Sequence, residues 1–181
     1  MKKLKFISAI AFGLLMLLAT DVKAQKFSGL DKSPLDQAFF PADYKIPVKA
    51  AKVVYSRPQL KGRTLSELAP AGKVWRTGAN EATEITFYSD VKLGKTKIQA
   101  GTYSLYTIPE KDNYTVIINR SINVWGAYNY KAENDVARLS VPVTQDEESL
   151  EALSMVFTPA DKGMVLNIGW DKTRIAIPFT E

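Results

Sequence analysis

Short runs of β-branched, aromatic and aliphatic residues alternate with turn residues through most of this chain, and no segment after the amino terminus keeps the roughly 3.6-residue apolar period of an amphipathic helix. That pattern predicts an all-β fold. Candidate strands cover residues 52–56, 83–88, 97–100, 102–108, 114–119, 137–143, 150–157, 164–170 and 174–179. Leu93-Gly94-Lys95-Thr96 has the composition of a hairpin tip, with Gly94 supplying a positive φ, and residues 109–113 form a longer turn. Connections this short make neighbouring strands antiparallel, and the spacing predicts a β-sandwich or jelly-roll-like arrangement, with closure into a barrel as the alternative. Ser66-Glu67-Leu68 reads as a short helical turn, and Asp146-Glu147-Glu148-Ser149 as the opening of another.

The amino terminus reads as an address. Met1-Lys2-Lys3-Leu4-Lys5 is basic, residues 6–19 are apolar, and Val22-Lys23-Ala24 suits a signal peptidase, which predicts a secretory signal peptide over 1–24 and cleavage before Gln25. The apolar run falls short of the ~20 residues that span a bilayer. No cysteine follows it, so no lipobox anchor is expected and the site of action is the periplasm or the exterior. Residues 25–48 read as a partly extended arm and 49–181 as the β-domain. Cleavage removes Lys2, Lys3, Lys5 and Lys23 with Asp21, so the formal charge falls from +5 to +2. With no run of Lys or Arg, no nucleic-acid partner is expected.

Histidine and cysteine are both absent. The commonest general base, the thiol nucleophile and the soft metal ligands are therefore missing together. Proton transfer would fall to Asp, Glu, Lys or Tyr, and a metal would need all-oxygen ligands, for which no EF-hand-like loop exists. The expectation is no cofactor and no metal. Gly94-Lys95-Thr96 lacks the first glycine of a phosphate loop, since Ser89 stands in its place, and a strand follows it.

Trp75-Arg76-Thr77-Gly78-Ala79-Asn80-Glu81-Ala82-Thr83 crowds a cation, an amide and a carboxylate around a glycine between two apolar segments. One reading is a structural network, with Arg76 bidentate to a carboxylate and Asn80 holding the Gly78 turn. The other is a site in which Arg76, helped by Arg57, Lys61 or Arg63, receives an anionic or carbonyl-bearing ligand. Glu81 and Glu84 lie three apart, so they fall on opposite faces if both are extended. Trp125, Tyr128 and Tyr130 surround Gly126 in a loop, where they either stack on a ligand or fill the rim of the core.

Tyr55-Ser56-Arg57-Pro58 with Lys61-Gly62-Arg63, the block from Trp75 to Thr83, the run from Ala100 to Pro109, the run from Trp125 to Tyr130, and Asp135-Val136-Ala137-Arg138 together resemble the DUF2911 family. These are secreted proteins of unknown function, found largely in Bacteroidetes-type bacteria. The resemblance runs from about residue 52 to the end and implies no reaction. Residues and resemblance together lead to an expected non-catalytic binding or envelope-associated module for a small molecule, glycan or protein. The alternatives are a cofactor-independent hydrolase or lyase on glycans, with Glu81 as acid or base and Arg76 stabilising charge, and a purely structural module.

Overall fold

Burial alternates along the strands as the residue types do. In the computed structural model, which describes residues 25–181, Ala51, Val53 and Tyr55 turn inward from one strand and Thr83, Ile85 and Phe87 from another, while Lys52, Val54, Glu84 and Thr86 take the opposite face. The expected signal peptide lies outside the described residues. Within them no helix is long and apolar enough to cross a membrane.

Among the described residues nine strands form one antiparallel sheet. In chain order they are β1 (Leu35–Phe40), β2 (Ala51–Ser56), β3 (Thr83–Phe87), β4 (Val91–Leu93), β5 (Thr96–Ile98), β6 (Gly101–Pro109), β7 (Asn113–Asn119), β8 (Asp135–Ala160) and β9 (Gly163–Thr180), and in space β1-β2-β3-β6-β7-β8-β9-β4-β5. A single turn of helix, α1 (Leu65–Leu68), follows β2, its start fixed by the Glu67 carboxylate accepting the Thr64 N–H at 2.7 Å. The all-β class holds, and so does the hairpin tip, where Gly94 has a φ of 59° between β4 and β5.

Three expectations change. Residues 35–40, expected in an extended arm, pair along their whole length with β2, and the compact unit begins at Asp31. The separate strands at 137–143 and 150–157 are one, as are those at 164–170 and 174–179. The polar stretch between the first two bulges instead of breaking the strand, because the register jumps from Gln145 to Leu150. No helix opens at Asp146. Arg174 instead ties the bulge down, with its Nε 3.3 Å from the Asp146 carboxylate and its Nη2 donating to the Glu148 carbonyl at 2.7 Å.

The sheet curls so that strands distant in its order meet. Phe87 of β3 packs 4.9 Å from Phe179 of β9, and Phe40 of β1 lies 6.3 Å from Phe157 of β8. Trp75 stacks on Trp170 at 5.6 Å with 15° between the rings, and the Tyr55 hydroxyl accepts the Met155 N–H at 2.9 Å. The enclosed core includes Ile85, Leu105, Ile118, Leu153, Leu166 and Ile177. Removing this apolar surface from water is the main favourable term available to a chain without disulfides. A second, smaller cluster of Ala82, Tyr106 and Ile117 lies on the outer face of the sheet, where Val124, Ala127 and Tyr130 of the loop after β7 cover it.

Candidate functional site

The block at Trp75 is built from both of its ends. Trp75 exchanges backbone hydrogen bonds with Thr107 of β6, and the Thr83 N–H donates to the Arg76 carbonyl at 3.0 Å. Between these ties Thr77 is fully buried with a φ of 53°, a conformation uncommon for a β-branched residue. Two hydroxyl contacts hold it there. The Thr83 Oγ1 donates to the Thr77 carbonyl at 2.8 Å, and the Thr77 Oγ1 lies 3.1 Å from the Thr107 Oγ1. Gly78 passes so close to β2 that an added Cβ would stand 3.1 Å from the Ser56 carbonyl oxygen and 3.2 Å from the Thr83 Oγ1.

The loop this creates carries Asn80 and Glu81 outward to meet the segment before Gly126. The Gly126 N–H donates to the Asn80 carbonyl at 2.9 Å, the Ala82 N–H donates to the Val124 carbonyl at 3.0 Å, and Glu81 forms an isolated antiparallel bridge with Trp125. A cleft of about 440 Å³ opens beside this junction, within the range of small-ligand sites. Its walls carry Asp31, Asn80, Glu81, Glu84, Asn123 and Trp125. Val54 and Ser56 of β2 also line it, and Val54 stands opposite Glu84 in the ladder.

The cleft is acidic. Glu81 is exposed, while the Glu84 carboxylate accepts the Asn123 N–H at 2.6 Å and so fixes the loop against β3. The Ser33 N–H, and after it the Asn80 amide, hold the Asp31 carboxyl below the usual carboxylate range. Among the described residues no lysine or arginine lines the cleft. Among the described residues no group of acidic side chains converges as a metal site would require.

Of the residues singled out from sequence, the fold brings Asn80, Glu81 and Trp125 together. The four cations are elsewhere. Arg57 spends its guanidinium on the Leu153 carbonyl at 2.9 Å, the Asp36 carboxylate at 3.0 Å and the Ser154 hydroxyl at 2.8 Å, tying β2 to β1 and β8. Arg63 donates to the Leu60 and Gln59 carbonyls, and Lys61, with a φ of 49°, gives its backbone N–H to the Glu151 carboxylate at 2.8 Å. Among the described residues Arg76 makes no bidentate carboxylate pair. Its buried Nε has no hydrogen-bond partner among the described residues.

The aromatics divide as well. Tyr128 is exposed, and its ring lies against Gly126, where a Cβ would stand 2.8 Å from it. Tyr130 packs edge-on to Tyr106 at 5.2 Å and donates its hydroxyl to the Asp135 carboxylate at 2.7 Å. Asp135 also accepts from the Arg138 Nε and the Asn119 Nδ2, each at 2.7 Å, so this knot fastens the loop to the sheet. Burial first, and then Asp135, push the Tyr130 hydroxyl up to about 12.

Sequence reasoning missed Asp31, Ser56, Glu84 and Asn123 as lining residues. The parity that would set Glu81 and Glu84 on opposite faces holds only if both are extended in one strand, and β3 begins at Thr83, so Glu81 lies outside it. Among curated proteins and solved structures, none matches this chain. Residues 40–179 match the family model described as "Protein of unknown function (DUF2911)". With most of its length matched in this way, the chain belongs to the DUF2911 family.

Proposed function

We propose that this is a non-catalytic ligand-binding protein of the bacterial periplasm or exterior, with a sandwich-type scaffold and its site in the cleft between Glu84 and Trp125. The observation that carries the reading is the indole of Trp125, which is 60% exposed and lies beside Glu81 in a concave cleft of about 440 Å³. Exposed alone, such a side chain costs solubility. In a cleft whose walls are tied down by the Glu84–Asn123 hydrogen bond and the Glu81–Trp125 bridge, it offers a preformed contact surface.

Placement favours binding over turnover. A glycan hydrolase or lyase using Glu81 and Arg76 needs both at one reacting centre, and Arg76 does not line the cleft. The test is a small-molecule and oligosaccharide screen read at the Trp125 indole N–H by NMR, with turnover of each hit followed in parallel. Saturable shifts at the Trp125 indole and at the backbone N–H groups of the cleft, the latter lost in Trp125→Ala, are expected without turnover. Product formation abolished by Glu81→Gln overturns the non-catalytic reading, and hits that shift residues away from the cleft overturn the site. Amino-terminal sequencing of exported protein tests the address, with Gln25 expected first.

A further inference from the structure

We infer that the cleft takes a small organic cation, an ammonium group carrying apolar substituents. This rests on the cleft being the binding site.

Local charge is the first observation. The whole chain carries a formal charge of +5, yet the cleft is lined by Asp31, Glu81 and Glu84, and among the described residues no lysine or arginine stands in its walls. None of the ion pairs formed by the described residues uses these carboxylates. Asp31 and Glu84 are fixed by backbone N–H groups, so each keeps a charge in place without neutralising it. A ligand that brings its own positive charge meets complementary potential there, and an anion meets repulsion.

The second observation is independent of charge. Trp125 presents a largely exposed indole inside a concave space, and the ring quadrupole makes its face negative. Leu35, which is 66% exposed, and Val54 line the same space and offer contacts for alkyl groups. Ser56 lines it too, although it is only 3% exposed.

A metal ion fits less well, because among the described residues no group of acidic side chains converges as a metal site requires. An ammonium ion with a hydrocarbon shell needs no such convergence, since its shell can rest on the indole while its charge acts on the carboxylates through space.

Choline and its neutral carbon isostere, in which carbon replaces the ammonium nitrogen, isolate the charge at constant shape. Each is titrated into isotope-labelled protein while the Trp125 indole N–H is followed, its resonance assigned by its loss in Trp125→Phe. Saturable shifts with choline are expected, with the isostere bound about tenfold more weakly or worse. Glu81→Gln should weaken choline several-fold and leave the isostere unchanged, since Glu81 is exposed and the fold does not depend on it. Equal binding of the two probes overturns the cation inference and leaves the cleft as a binding site. So does a shift produced by a neutral methyl glycoside where choline gives none. If none of the three probes moves Trp125, the cation inference falls, and the site reading is decided by where the hits of the broader screen bind.

Discussion

Replacing Thr83 with valine exchanges a hydroxyl for a methyl at nearly constant volume, at a residue that is 1% exposed. The lost group is the donor that satisfies the Thr77 carbonyl at 2.8 Å, and Thr77 is fully buried in a left-handed conformation. Water has no access to replace that donor, so the cost is the desolvation of an orphaned carbonyl, about 1–3 kcal/mol. Thr86→Val is the control. Its hydroxyl meets the Thr102 hydroxyl at 2.9 Å on the outer, half-buried face, where water can substitute, so a loss below about 0.5 kcal/mol is expected. Urea unfolding followed by tryptophan fluorescence reads both. At an m-value of about 2 kcal/mol/M, a loss of about 2 kcal/mol lowers the midpoint by about 1 M. A Thr83→Val loss below about 0.5 kcal/mol, or one no larger than that of Thr86→Val, refutes the argument that this buried hydroxyl pins the block.

Arg76→Ala should cost less than about 1 kcal/mol, and Glu81→Gln should be neutral within about 0.5 kcal/mol, because neither side chain is ion-paired; a loss of about 3–5 kcal/mol in urea would signal a buried pair instead. Gly163→Ala should destabilise by more than about 2 kcal/mol in the same assay, since Gly163 has a φ of 132° and an added Cβ would collide with the Phe179 carbonyl oxygen. The Tyr130 hydroxyl titrates near 12 in the fold against 10.0 ordinarily, so between these values the unfolded chain holds fewer protons and stability falls as pH rises. Tyr130→Phe should flatten that fall, leaving the part owed to Tyr55, Tyr106 and Tyr114, whose hydroxyls burial also raises; an unchanged slope from pH 10 to 12 would contradict the assignment.

The strands were legible because alternation is a local signal. Residues 52–56 and 114–119 announce their inward faces within a single run, and Gly94 marks its turn by itself. β1 was hidden because Leu35 is exposed and the strand sits at the edge of the sheet, so only its pairing with β2 defines it. The division of β8 at Asp146–Ser149 follows from the same limit. A polar bulge and a polar loop have the same composition, and what separates them is Arg174, which lies 28 residues away in the sequence but beside the bulge in space.

Adjacency in sequence also misled the grouping of charges. Arg76 and Glu81 are close along the chain, and the turn built on Thr77 and Gly78 lies between them, so only Glu81 reaches the cleft. In exchange the fold supplies Glu84 from β3 and Asp31 from the segment before β1. The two glutamates now differ in a way that bears on mechanism. Glu84 is committed to the Asn123 N–H, and Glu81 is exposed on an open wall. A general acid is placed where the protein encloses its carboxyl together with the atom it protonates, whereas Glu81 is exposed. In the binding role proposed for the cleft, that same exposure leaves its carboxyl oxygens open to a ligand beside Trp125, so binding and catalysis make opposite demands on this one side chain.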